Sequence, residues 1–95
     1  MRRPARLDDI AIASKLRELP GWSRSGDAIT RTFTFAGFPE AVAFVTRLVE
    51  PAESLNHHPD VDLRYNRVIV TLSTHDAGGL TELDFTLAAR IAVLA

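Results

Sequence analysis

Two stretches of strict alternation decide most of what this chain can become. In residues 28–35, Ile29, Arg31, Phe33 and Phe35 fall on one side and Thr30, Thr32 and Thr34 on the other, the period of a strand with one face buried. In residues 68–74, Val68, Val70 and Leu72 oppose Ile69, Thr71 and Ser73 in the same way. Each run has a second arm one turn away. Ser25-Gly26-Asp27 links the first run to a short piece at residues 22–24, and Asn66-Arg67 links the second to Val61, Leu63 and Tyr65, which alternate with Asp62 and Arg64. Arms joined so closely pair antiparallel.

Around these hairpins the apolar spacing becomes helical. In residues 7–19, Ile10, Ile12, Ala13, Leu16 and Leu19 share a face, Asp8 or Asp9 is placed to cap the start, and Pro20-Gly21 stops the helix. After Gly37, Pro39 suits a first turn, and Ala41, Phe44, Val45, Leu48, Ala52 and Leu55 are spaced for burial. Pro51 interrupts that stripe and predicts a kink or a restart, while Pro59 ends the helix by His58. Asp76-Ala77-Gly78-Gly79 is a turn. Thr81-Glu82-Leu83-Asp84 then has the pattern of a capping box opening a last helix with Leu83, Leu87, Ala88, Ile91 and Leu94 inward.

The predicted order is helix, two strands, helix, two strands, helix. This is an α+β two-layer sandwich, a four-stranded antiparallel sheet with three helices on one face. Its 95 residues suit one domain spanning residues 1–95. The threonine-rich strand faces are compatible with solvent or with pairing between copies.

Composition narrows the chemistry. With no cysteine, a disulfide, a thiolate nucleophile and a cysteine-built metal site are all excluded. Eleven basic and twelve acidic side chains nearly cancel, so a direct grip on nucleic acid is not expected; the short cluster Arg2, Arg3, Arg6 reads as a loose basic terminus. No apolar run approaches the roughly 18 residues of a membrane span, and the expected location is cytoplasmic.

Any chemistry must then come from histidine, carboxylates, hydroxyls or a bound cofactor, and all three histidines lie in the second half: His57 and His58 at the end of the second helix, His75 at the end of a strand. Imidazole titrates nearest neutrality, which suits it to give and take protons. The hairpin at residues 61–74 travels out and back, so His75 is expected to approach the pair and all three to surround one concavity. Adjacent His57 and His58 aim poorly at a single ion, and no His pair at helical spacing supports them, so no metal is expected.

The spacing Glu53-x3-His57-His58-Pro59, five residues, Tyr65, nine residues, His75, eight residues, Asp84 resembles the signature of the pterin-4a-carbinolamine dehydratases. Leu19-Pro20-Gly21-Trp22, Tyr65-Asn66, Thr71-Leu72-Ser73-Thr74-His75 and Gly79-Leu80-Thr81 are similar to that family as well. Val61 departs from it, standing where some relatives carry an aromatic.

The resemblance implies a hydro-lyase converting 4a-hydroxytetrahydrobiopterin, or a related 4a-hydroxytetrahydropterin, to quinonoid dihydropterin and water in pterin recycling. It implies no cofactor and no metal. It casts His57 and His75 as acid and base on opposite faces of C4a, and His58 as the residue orienting the pterin. Pro59 and the backbone of Thr74, Asp76 and Ala77 correspond to positions lining the pterin pocket. Glu53 stands one turn before His57, able either to bond it or to face solvent; Asp84 is accounted for by capping the last helix or by contact with substrate; Tyr65 either packs or touches ligand. A homodimer or homotetramer is implied. The alternative is a pterin- or protein-binding module without significant turnover, in the manner of the animal members that stabilise the dimer of a homeodomain transcription factor.

Overall fold

A computed structural model describes residues 4–95. Arg2 and Arg3 of the basic cluster lie outside the described residues, and Arg6 donates to the Gly78 carbonyl at 3.4 Å. The elements run α1 (Asp9–Leu16), β1 (Ser23–Ser25), β2 (Ala28–Thr34), α2 (Phe38–Arg47), α3 (Val49–Leu55), β3 (Asp60–Arg64), β4 (Arg67–Leu72) and α4 (Glu82–Leu94), with a 3-10 turn at His75–Ala77 before α4. The sheet is antiparallel in the order β1-β2-β4-β3. The two hairpins thus join through β2 and β4, the strands that carry the strict alternation, and β1 and β3 form the edges.

Alternation translates directly into burial. Ile29 and Phe33 of β2 and Val68, Val70 and Leu72 of β4 pack into one core with Ile12, Ala41, Phe44, Leu48, Phe85, Leu87, Ala88 and Ile91 from the helices. Phe44 is fully buried with its ring 4.8 Å from Phe33 and 5.0 Å from Phe35. Each large side chain so enclosed contributes roughly 1.5–3 kcal/mol. No helix among the described residues is long and apolar enough to cross a membrane.

The second predicted helix is realised as two. The chain breaks at Leu48 and restarts as α3, so that Pro51 sits in the first turn of α3. There its missing N–H removes no intrahelical bond, because the first-turn donors of a helix have no partner within it. The restart therefore precedes the proline.

Three other local expectations are corrected. In α1 the helix is shorter than residues 7–19, and Ile10 is 82% exposed because Ile12 supplies the buried contact. Asp8 is the cap, accepting from the Ala11 N–H at 2.8 Å. In the second hairpin, Arg64 pairs with Arg67, so Tyr65 and Asn66 form the turn, and Tyr65 leaves the strand with a positive φ of 51° and 69% exposure. Asn66 fastens this turn to the end of β2 through Phe35: its Nδ2 donates to the Phe35 carbonyl at 3.0 Å, and its own carbonyl accepts from the Phe35 N–H at 2.8 Å. In α4, Phe85 is buried while Leu83 is only partly so.

Candidate active site

The end of α3 places the histidine pair. Asn56 closes the helix in the left-handed region, at φ 47° and ψ 46°, a conformation that asparagine tolerates better than most residues. His57 follows with its N–H bonded to the Ala52 carbonyl at 3.0 Å, the 6→1 bond of a Schellman closure. This reversal turns the His57 ring inward, where the residue is only 4% exposed, and leaves His58 outside.

Inside, His57 Nε2 lies 2.6 Å from Asp84 Oδ1. Asp84 belongs to the first turn of α4, where its Oδ2 accepts the Thr81 N–H at 3.0 Å and completes the capping box. The same oxygen accepts the Thr74 hydroxyl at 2.8 Å. One carboxylate therefore caps a helix, binds the residue before His75 and holds His57, all at zero exposure. A buried carboxylate needs such donors, since an unpaired charge in the interior is costly.

Each of the two carboxylates read with alternatives takes one of them. Glu53 does not reach His57; its Oε2 lies 2.5 Å from Nε2 of His58, because the left-handed turn removes His57 from the helical face that Glu53 occupies. Asp84, expected to cap or to touch substrate, does cap, and its oxygens are committed to protein partners. The Glu53–His58 pair is solvent-facing, its side chains 68% and 57% exposed. Exposed ion pairs contribute about 0–1 kcal/mol. Glu53→Gln is therefore expected to change the unfolding free energy by less than about 1 kcal/mol in urea denaturation, a small effect beside truncation of Asp84 to Ala.

His75 is exposed at the start of the 3-10 turn, and its ring makes no hydrogen bond among the described residues. Its loop is closed by Thr74 and Gly79, which exchange N–H and carbonyl bonds at 3.1 and 3.3 Å. The Thr74 carbonyl also accepts the Ala77 N–H at 3.0 Å. The Thr74 N–H, the Thr74 carbonyl and the Ala77 N–H, expected to read a pterin edge, are thus engaged within the loop. Asp76 is exposed and Ala77 partly so.

A concavity of about 210 Å³ lies beside the pair, with Val45, Leu48, Glu53, His58, Pro59 and Val61 in its wall. Of the three histidines only His58 lines it, so the expectation of three rings around one concavity is met only in part. What joins His57 to His75 is the bonded path through Asp84 and Thr74, to which His75 is covalently adjacent. Among the described residues no cluster of three or more His, Cys, Asp or Glu is arranged to hold a metal ion.

The His57–Asp84 contact spans 27 residues, and no local pattern announces it. The available signal was the capping box itself: Asp84 caps with Oδ2, and its other oxygen then requires a partner in the interior. The hydroxyl of Thr74, which bonds both Asp84 and the Thr81 hydroxyl, is a further partner of this carboxylate that spacing does not announce.

Comparison with known proteins identifies the family. The profile of the family described as pterin 4 alpha carbinolamine dehydratase matches residues 5–94. A relative from Thermomicrobium roseum, whose name assigns it provisionally to pterin-4-alpha-carbinolamine dehydratase, is 58% identical over 91 residues, 96% of this chain and 98% of its own. One from Chloroflexus aurantiacus, with the same provisional name, is 56% identical over 86 residues, 90% of this chain and 92% of its own. Among solved structures, a transcriptional coactivator/pterin dehydratase from Brucella melitensis superposes with a TM-score of 0.91 at 41% identity, covering 95% of this chain and 98% of that one. A pterin dehydratase-like protein identified as a RuBisCO assembly factor in the alpha-carboxysome shares the fold at a TM-score of 0.63 and 24% identity, over 78% of this chain and 86% of that one. With the profile matched almost end to end and more than half of the residues shared with relatives of equal length, this chain belongs to the pterin-4-alpha-carbinolamine dehydratase family.

Proposed function

We propose that the protein dehydrates a 4a-hydroxytetrahydropterin, such as 4a-hydroxytetrahydrobiopterin, to the quinonoid dihydropterin. The observation carrying this reading is a buried His57 held on Asp84, flanked in sequence by exposed His58 and joined through Thr74 to exposed His75. In the reaction the C4a–O bond breaks, a protonated imidazole gives its proton to the departing oxygen, and a neutral imidazole takes the proton from N5. The N5–C4a double bond forms, water leaves, and the two rings exchange roles with no net change in protons.

His57 and His75 are the acid and base of this reading. Nε2 of His57 faces Asp84, so Nδ1 is its atom for exchange with substrate; the His75 ring is exposed and makes no hydrogen bond among the described residues. His58, braced by Glu53 at the wall that includes Pro59, orients the pterin, while Asp76 and Ala77 border it from the His75 loop. Asp84 acts through His57 rather than on substrate. The same proposal places the protein in the cytoplasm as a homodimer or homotetramer, for which partly exposed Phe38, Val42 and Val49 along α2 and α3 offer apolar surface.

The test is direct: generate 4a-hydroxytetrahydrobiopterin in a stopped-flow cell and follow appearance of the quinonoid product with and without protein. Turnover at catalytic protein concentrations is expected to exceed the spontaneous rate by at least about 100-fold, the usual contribution of general acid–base catalysis. Stoichiometric pterin binding without acceleration would instead favour the binding-module reading, which the coactivator part of the Brucella protein's name brings to mind.

A further inference from the structure

The buried bonds behind His57 have only one consistent direction. Asp84 in its carboxylate form has lone pairs and no proton to give, so the single hydroxyl proton of Thr74 points at Oδ2, 2.8 Å away. Thr74 and Thr81 are also joined oxygen to oxygen at 2.8 Å; with the Thr74 proton already committed, Thr81 must be the donor in that bond. Thr81 Oγ1 in turn accepts the Leu83 N–H at 3.2 Å. The chain runs from the Leu83 amide through Thr81 and Thr74 to Asp84, and each hydroxyl both donates and accepts. Thr74, Thr81 and Asp84 are each at most 1% exposed, so water cannot substitute for a missing member.

This direction determines what His57 is. Oδ2 receives two donors, the Thr81 amide and the Thr74 hydroxyl, which fixes the carboxylate plane and leaves Oδ1 alone for His57. The proton in that contact then resides on Nε2, and Nδ1 is the free lone pair of the neutral ring. Thr74 has a second attachment: its backbone closes the loop with Gly79 and is bonded covalently to His75. One residue therefore orients one imidazole through its side chain and anchors the other through its main chain.

We propose that Thr74 is a positioning residue that holds His57 as the Nε2–H tautomer through Asp84 and keeps His57 and His75 in a common frame. This deepens the dehydratase reading above and rests on it for the kinetic consequence, while the tautomer itself can be read with no substrate present.

The experiment uses the full chain labelled with 15N-histidine. Long-range 1H–15N correlation spectra of the unmodified protein are expected to show His57 as the Nε2–H form, with a slowly exchanging proton. Thr74→Ser, which retains the hydroxyl, is expected to keep that signature and a kcat within about threefold of the parent. Thr74→Val keeps the shape and removes the hydroxyl; it is expected to give mixed tautomers or a rapidly exchanging proton. Its kcat should fall roughly ten- to a hundredfold, the effect of losing one hydrogen bond to a charged group, with KM nearly unchanged. A general loss of packing would lower stability without altering the tautomer. If Thr74→Val fails to fold, Thr74→Ala, which also removes the hydroxyl, takes its place with the same expectations.

Finding Nδ1–H in the unmodified protein overturns the proposal whatever the variants do. So does a folded Thr74→Val or Thr74→Ala variant with unchanged spectrum and kcat, or a Thr74→Ser variant as impaired as Thr74→Val. Absence of turnover in the folded parent removes the dehydratase reading, and the spectra still decide the role of Thr74.

Discussion

His57→Ala is expected to lower dehydration turnover by about 10²–10⁴, the usual contribution of a positioned acid or base. It should also cost about 1–3 kcal/mol of stability, the range for leaving a buried polar group without its hydrogen-bond partner. The second effect follows from Asp84, whose Oδ1 would be left at zero exposure without its 2.6 Å partner. A domain of this size has only about 5–15 kcal/mol in total, so reduced activity in this variant could reflect unfolding alone. His57→Gln separates the two. Its amide N–H₂ reaches in the same direction as Nε2 and can donate to Oδ1, so thermal unfolding is expected close to the parent while the turnover deficit persists. A folded His57→Gln protein with parental turnover would remove His57 from the proton-transfer steps and leave His75 and His58 to account for them.

Most of the architecture was legible because it is encoded by period. Ile29 and Phe33 in β2, and Val68, Val70 and Leu72 in β4, occupy the buried face that alternation assigns them, and Thr81 and Asp84 form the capping box their spacing implies. Pro51 marked a break for a sound steric reason, and the chain places that break just far enough upstream for the proline to enter a first turn. The errors have local causes as well. A helical face drawn through residue 57 offers Glu53 either His57 or solvent, whereas one left-handed residue, Asn56, rotates the chain and gives the exposed Glu53 to His58.

For the candidate site, residue type and spacing nominate members and leave their wiring undetermined. Imidazole chemistry and family resemblance singled out His57, His58 and His75, because residue type and spacing are properties of the sequence. Which carboxylate holds which ring depends on α4 meeting the end of α3, a tertiary contact between residues far apart in sequence. Asp84 shows the difficulty: capping was a sufficient explanation for one oxygen, and only packing reveals the task of the other. Thr74 is a similar case: its backbone, expected at the pterin pocket, is engaged within its own loop, and nothing in its spacing announces the bond from its hydroxyl to Asp84.

Asp84→Asn tests that wiring with the smallest change of shape. The Thr81 N–H and the Thr74 O–H both need an acceptor at the Oδ2 position, so the asparagine carbonyl is expected there and its NH₂ at the Oδ1 position, facing His57. Nε2 must then accept, and the ring proton moves to Nδ1. The atom that should exchange a proton with substrate is thereby blocked, while the helix cap and the hydroxyl chain survive. Loss of the correct tautomer at a catalytic histidine costs about 10⁴ in turnover in the serine-protease triad. Here a fall of about 10²–10⁴ is expected, with retained fold and pterin affinity and a His57 15N signature of the Nδ1–H form. Asp84→Ala differs in kind, because it strips the Thr81 amide, the Thr74 hydroxyl and His57 of their shared acceptor at once. At about 1–3 kcal/mol for each buried polar group left unsatisfied, that variant is expected to unfold well below the parent temperature. If instead Asp84→Asn kept full turnover with the Nδ1–H ring, tautomer control by this carboxylate would play no part in the reaction.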